Sequence, residues 1–372
     1  MDRRKYKTAA IAMIRLIAEA LGASVDADDM PIPQLDHLYH VAKAHQMAAL
    51  TAIALQRRGI KDAQFSDALA KAQRKSLLFD RELKIITDSL EKNKITFLPL
   101  KGMKLKVLYP AIGSREMSDI DILIDQNQAA RAKEIMIDAG YQVKSYQKAN
   151  HDVYIKQPFF CFELHRELFN WDRHSSYRAY FESLAYAPAG DSPYRLEMTV
   201  SEMYVYLMAH HHAHYYSAGV GLRSLTDLYL YLRRYENELD EAYIRSAFEQ
   251  IGIGDFAEKT RSLAKRFLRI DKLDDEQSAE LDYYIFSGTF GTKKQHLSNK
   301  VLKETDGSVQ SKLRYLKKRL EVNDYRVKKS PFYSKHPKLV PLMKITQPIT
   351  SFVKKPRVIL CELKALKKRK KK

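Results

Sequence analysis

Two aspartates one residue apart, Asp119 and Asp121, lie in the run Ser118-Asp119-Ile120-Asp121-Ile122-Leu123-Ile124 and are the residues of this chain best suited to chemistry. The run alternates polar and apolar residues and then becomes apolar, as does a half-buried strand entering a core. Successive strand side chains point to opposite faces, so the two carboxylates stand together while Ile120 and Ile122 face the other way. Adjacent carboxylates repel each other, and a divalent cation relieves the repulsion. Mg²⁺ in particular takes hard oxygen ligands from one or two carboxylates, completed by water and substrate phosphate. The chemistry such a pair suits is reaction at phosphate. The same triplet also fits a solvated strand end with two ordinary acids, so the elements around it must decide.

Those elements must bring a phosphate to the pair. Ile95 to Leu100 reads as a strand, Lys101-Gly102 as its turn and Met103 to Tyr109 as a short helix with Leu105 and Leu108 on its apolar side. Glycine permits a tight turn and a close approach of backbone N–H groups to phosphate. The helix start adds a favourable partial positive charge. No G-x-x-x-x-G-K-[ST] run occurs, which excludes a P-loop.

Taken together, Leu100-Lys101-Gly102, Tyr109-Pro110, Arg115 and Asp119-Ile120-Asp121-Ile122-Leu123-Ile124 resemble, in order and spacing, a known group. It is the nucleotidyltransferases with a DNA polymerase β-like palm, and within them the largely uncharacterised bacterial family often called nucleotidyltransferase family 5. The chain departs from the wider superfamily at the turn, which usually reads Gly-Ser or Gly-Gly; Gly113-Ser114 lies too close to Asp119 to leave room for an intervening helix. The resemblance implies an α+β fold: a small mixed β-sheet palm flanked by N-terminal and C-terminal helical regions. It implies Mg²⁺ or Mn²⁺ as cofactor, an NTP as substrate, and transfer of a nucleoside monophosphate to a hydroxyl-type acceptor with release of pyrophosphate. It also implies a third carboxylate on a later strand. Phe160-Cys161-Phe162-Glu163-Leu164-His165 alternates as a strand does and matches the family's E-[LI]-H, so Glu163 takes that place with His165 beside it. Asp119, Asp121 and Glu163 are thus the expected catalytic and metal-holding acids. A hydrogen-bonded Glu163–His165 pair at a sheet edge is the alternative.

For phosphate contact the sequence offers Lys101 and Gly102 at the turn and Arg115, whose planar fork can engage two oxygens at once. A plain surface charge is the alternative for either cation, and the better reading for Lys104 and Lys106. Farther on, His210-His211-His212-Ala213-His214 puts His210 and His214 on one helical face, but without an intervening Glu or an evident third ligand this spacing is a weak metal signal. The resemblance extends here to a histidine-bearing helix followed by a Thr-Asp-Leu element. It offers His211 and Asp227, with His165, as pocket residues, structural hydrogen bonding being the alternative. His165-Arg166-Glu167 is no kinase catalytic loop, since the Glu stands in for Asp and neither D-F-G nor a Gly-rich loop occurs.

Apolar residues recur at helical spacing over Lys7 to Leu21, Gln34 to Arg57 and Ser66 to Lys92, with turns at Gly22, Pro31, Pro33 and Gly59. A helix over Gln126 to Ala139, closed by Gly140, and two further strands complete the palm; Thr199 to His214 and Leu222 to Tyr235 are again helical. The expected organisation is a helical cap over 1–93, a palm-like unit over 94–190, a helical domain over 191–300 and a basic, proline-broken extension over 301–372.

The chain has 372 residues, enough for two or three domains. No apolar run reaches the roughly 18 residues of a membrane-spanning helix, and the N-terminus lacks the form of a secretory signal. Two cysteines, Cys161 and Cys361, lie far apart, which speaks against a disulfide framework and for a reducing cytoplasm. Charge is concentrated at one end: residues 301–372 hold 22 Lys and Arg against 5 Asp and Glu, a net of +17 of the chain's +19. The end from Lys364 to Lys372 is expected to be disordered and to attract polyanions, nucleic acid or anionic lipid, or else to serve only solubility. A rival to the enzyme is a non-catalytic nucleotide-binding module with such a tail, against which the presence of all three carboxylates argues.

Overall fold

Four helices lead the chain: α1 (Arg3–Ala20), α2 (Leu35–Ala44), α3 (Ala48–Arg57) and α4 (Ala63–Lys92). The Asp2 and Asp62 carboxylates cap α1 and α4 by accepting from the backbone N–H groups of Lys5 (2.9 Å) and Phe65 (3.0 Å). The spacing predicts one helix over Gln34 to Arg57, and here the structure differs. The helix breaks at His45–Met47, with Gln46 at φ 52°. His45 closes α2, its backbone N–H still donating to the Val41 carbonyl at 3.1 Å, and turns its imidazole to tertiary partners. Its Nε2 lies 3.1 Å from the Ile285 carbonyl and its Nδ1 accepts from the Leu222 N–H at 3.2 Å.

The computed structural model describes residues 1–23, 32–289 and 291, and the short stretches 310–312, 314 and 337–343. The basic end from Lys364 to Lys372, Cys361 and most of the proline-broken extension lie outside the described residues. Two units divide the chain, Met1–Ala213 with Gly221–Thr289 and His214–Val220 with Phe290–Lys372; the candidate site lies in the first. Among the described residues no helix is long and apolar enough to cross a membrane.

The class is α+β, as the resemblance implies. After α4 come β1 (Phe97–Pro99), α5 (Lys101–Leu105), β2 (Ile120–Ile124), α6 (Ala129–Asp138), β3 (Gln142–Ser145), β4 (His151–Lys156) and β5 (Phe160–His165). Then follow α7 (Ser175–Glu182), the hairpin β6 (Ala187–Ala189) and β7 (Ser192–Glu197), and the helices α8 (Val200–Tyr215), α9 (Leu222–Tyr235), α10 (Glu241–Ile251), α11 (Gly254–Arg266) and α12 (Asp275–Ser287). The strands form one mixed sheet in the order β3-β4-β5-β2-β1-β7-β6. β2 runs antiparallel to β1 and parallel to β5, and β5 runs antiparallel to β4. Two strands were expected between α6 and Glu167; the structure has three, because β3 joins the edge with three of its four residues exposed. The β6–β7 hairpin was not anticipated either. β7 adds in parallel to β1, and its positions alternate between half-buried and exposed with none fully buried.

One sheet face is apolar and packs on helices. Ile120, Ile122 and Ile124 of β2, Tyr154 of β4 and Phe160, Phe162 and Leu164 of β5 join Phe79, Ile86 and Leu90 of α4 and Ala132, Ile135 and Met136 of α6 in one buried cluster. Each large side chain buried this way is worth roughly 1.5–3 kcal/mol, which makes the strand registers strongly specified. A one-residue slip would put the whole set on the wrong face.

Candidate functional site

The opposite face of the same strands carries the polar residues, because their period is two. In the parallel pairing of β2 with β5, Asp121 is the register partner of Glu163. In the antiparallel pairing of β4 with β5, His151 is the partner of His165. Three adjacent strands therefore present Asp121, Glu163, His165 and His151 on one surface, with Asp119 immediately before β2.

The two oxygens of Asp121 face different neighbours. Oδ1 lies 3.0 Å from His165 Nε2, and Oδ2 lies 3.5 Å from the Lys101 ammonium. On the histidine side, Glu163 Oε2 stands 3.5 Å from His151 Nε2 and 3.8 Å from His165 Nε2. The imidazole rings are 4.9 Å apart. Lys101 is held there by backbone: the Leu100 N–H donates to the Asp121 carbonyl at 3.0 Å, and Lys101 itself adopts φ 24° as it opens α5. At Gly102 the ends of two side chains come close against the turn, since a Cβ there would stand 2.9 Å from Met117 Cε and 3.0 Å from Arg115 Nη1.

The charges in this surface are unevenly matched. Burial tends to raise the Asp121 carboxyl, but Lys101 and His165 outweigh it and hold the group well below the usual carboxylate range. Asp119 and Glu163 move the other way. Burial raises Asp119 and the Asp121 charge adds to it, against Lys101, Arg223 and a hydrogen bond from Ser118. Burial likewise raises Glu163, with Asp121 and Asp119 adding to it. Two carboxyls held above their ordinary values beside one held below is the electrostatic state of a site with too little positive charge of its own. Among its donors, one group of three is close enough together to hold a cation, and it does not include Asp119 or Asp121. His151, Glu163 and His165 bring ligand atoms within 4.8 Å of one another.

Arg115 and Asp227 meet each other. Arg115 Nε and Nη2 donate to Asp227 Oδ1 and Oδ2 at 2.8 Å each, and the Tyr109 hydroxyl donates to Oδ1 at 2.7 Å. The pair is buried; burial opposes both charges, yet each partner offsets the cost, so Asp227 is lowered and Arg115 raised from their ordinary values. Arg115 Nη1 is the nitrogen beside Gly102. His211, also buried, has its Nε2 2.7 Å from the Tyr284 hydroxyl.

Several neighbours escaped the sequence reading. His151 carries no motif; only the β4–β5 register brings it to His165. Tyr206 on α8 buries a hydroxyl with no hydrogen-bond partner among the described residues, and burial together with the Asp121 and Glu163 charges pushes it well above its ordinary value. Lys75 on α4 is lowered by burial, against the attraction of Asp119, which marks it as a further cation near the acids. Cys161, by contrast, is placed on the Glu163 face by the alternation of β5 in the sequence; its thiol is free and is raised to about 11, first by burial and then by Glu163.

A family model described as uncharacterised nucleotidyltransferase matches residues 33–269. No curated protein and no solved structure matches the chain. The match spans α2 to α11 with the whole sheet, including Lys101, Arg115, Asp119, Asp121, His151, Glu163, His165 and Asp227, and the chain belongs to this nucleotidyltransferase family.

Proposed function

For a chain of this family, we propose metal-dependent transfer of a nucleoside monophosphate from an NTP to a hydroxyl-type acceptor, with release of pyrophosphate. The observation that carries the reading is the pairing of Asp121 with Glu163 across parallel strands, two residues on from Asp119 and 3.5 Å from Lys101. Asp119, Asp121 and Glu163 would hold the cation, Mg²⁺ or Mn²⁺. When bound, it supplies charge neutralisation on the triphosphate and makes the acceptor hydroxyl a better nucleophile.

The remaining work belongs to the chain. Phosphoryl-type transfer asks for in-line positioning and for positive charge where the leaving oxygens gather it. Lys101 is assigned to the phosphates: a triphosphate entering on the Asp121 Oδ2 side meets its ammonium directly. Gly102 keeps the turn low enough for that approach. Arg115, held by Asp227 and Tyr109, braces the turn from behind through Nη1 and adds its charge without leaving the pair. Glu163, raised from its ordinary value, is suited to take the acceptor proton or to orient the acceptor. The lysine-rich end, 364–372, is assigned on sequence alone to a polyanionic partner, and truncation after Glu362 is expected to abolish salt-sensitive binding to nucleic acid or anionic vesicles.

The test is incubation of the protein with each labelled NTP, Mg²⁺ or Mn²⁺ and a cell extract, followed by identification of the labelled product. Label transfer and pyrophosphate release that vanish in Asp119→Ala/Asp121→Ala, with the circular dichroism spectrum unchanged, support the reading. Equal turnover in the double variant sinks it. Tight NTP binding without turnover in wild type would favour the binding module instead.

A further inference from the structure

We propose that the site has two chemically distinct cation positions, and that the one formed by His151, Glu163 and His165, bridged by Asp121, takes a first-row transition cation in preference to Mg²⁺. The inference rests on the nucleotidyl-transfer reading only for the second, all-oxygen position on the Asp119 side.

The argument begins with the division of Asp121. Its Oδ2 turns to Lys101, the side a triphosphate would enter, whereas its Oδ1 turns to His165. A carboxylate whose oxygens face opposite ways can bridge two cations. The side reached by Oδ1 is lined by nitrogen: His165 Nε2 at 3.0 Å, with His151 Nε2 and Glu163 Oε2 completing the group. Transition cations bind imidazole nitrogen and carboxylate oxygen at about 2.0–2.2 Å, which sets neighbouring ligand atoms about 3.0–3.5 Å apart around a tetrahedral or octahedral centre. The His151–Glu163 edge is 3.5 Å and the His165–Glu163 edge 3.8 Å, and all three ligand atoms lie within 4.8 Å of one another, so modest side-chain rotation closes them on one ion.

The chemistry of the donors selects the ion. Mg²⁺ demands oxygen ligands and gives up its water reluctantly, so two imidazoles in three or four positions disfavour it. Imidazole suits Zn²⁺, Fe²⁺, Co²⁺ and Ni²⁺. His151 and His165 present their Nε2 atoms inward, while both Nδ1 atoms are buried without a protein partner among the described residues. Neither ring is therefore fixed in a tautomer through Nδ1. Coordination needs the proton on Nδ1 and the lone pair on Nε2; in the metal-free site His165 Nε2–H donates to Asp121 Oδ1, and cation binding would move that proton to the open Nδ1.

Co²⁺ serves as the probe, titrated into the full chain without nucleotide and read by visible absorption and by proton NMR. The expected result is one tightly bound equivalent whose visible band far exceeds that of aqueous Co²⁺ and persists in a hundredfold excess of Mg²⁺. Two strongly shifted, exchangeable imidazole N–H resonances should accompany it, one for each ligating histidine. In His151→Gln one of these resonances should disappear and Co²⁺ affinity should fall tenfold or more. Absence of shifted imidazole resonances in wild type overturns the proposal whether or not the variant folds. Resonances that persist unchanged in a folded His151→Gln also overturn it, because the ion then sits elsewhere, for instance on the His210–His214 stretch. Either outcome leaves nucleotidyl transfer standing if Mg²⁺-dependent turnover continues, so the two readings fail separately.

Discussion

Two buried groups of charge lie within one unit of this protein, and they are built on opposite plans. In the Arg115–Asp227 group both carboxylate oxygens meet strong donors: a bidentate ion pair at 2.8 Å, closed by the Tyr109 hydroxyl. In the Asp119–Asp121–Glu163 group, carboxylates outnumber the cations in contact with them, and two of the three are held above their ordinary values. The histidines repeat the contrast. His45 engages both ring nitrogens with backbone, whereas His151 and His165 leave Nδ1 unpartnered among the described residues. A matched group holds the fold together. An unmatched one is retained at a cost in stability, and that cost is explicable if a ligand arrives to balance it.

The contrast can be broken experimentally, beginning with the largest expected effect. Asp119→Ala/Asp121→Ala should lower nucleotidyl transfer by about a thousandfold or more with the circular dichroism spectrum unchanged, the lost Asp121 contacts to His165 and Lys101 costing stability to a smaller degree. Asp227→Ala should do the reverse in kind: it strands Arg115 as a buried unpaired charge and should cost about 3–5 kcal/mol in urea denaturation. A smaller effect is expected at His45, whose ordinary value of 6.5 is pulled down to about 4, chiefly by burial. The folded state then binds fewer protons than the unfolded state between those values, so stability is complete above about pH 6.5 and is lost as pH falls toward 4. The loss should be on the order of 2 kcal/mol between pH 7 and pH 5, and His45→Gln should abolish that part of the slope. Smallest of all, Asp119→Asn should raise the Tm of the cation-free protein by roughly 1–3 °C through relief of like-charge repulsion. A fall in Tm would show that the acids are matched after all.

What could be read from the sequence was what is local. The alternation through Asp119–Ile124 and through Phe160–His165 requires only a period of two, and the same apolar set that fills the core fixes which residues are left on the other face. The turn at Lys101-Gly102 and the helices α4 and α9 were likewise written in consecutive residues. His151 was not legible, because its place depends on the register of a hairpin whose partner strand ends fourteen residues on. The union of Arg115 with Asp227 was not legible either: 112 residues separate them, and an arginine near a presumed phosphate site reads equally well as a substrate contact. The strands β3 and β6 are short and largely exposed, and β7 has no fully buried position, so none carries the apolar run that marks a core strand.

The distance in sequence between Arg115 and its carboxylate has one more consequence, for how far the α/β unit can stand alone. A fragment over 94–190 would contain the whole acid surface and the turn that serves it, yet it would carry Arg115 without Asp227. Its most buried arginine would face either solvent or an empty slot, next to the glycine that shapes the phosphate approach. Such a fragment is expected to be expressed as an unfolded or loosely packed chain. Grafting the reaction onto a smaller scaffold would therefore have to carry α9 along, or replace Arg115 and Tyr109 with an apolar pair that fills the same volume.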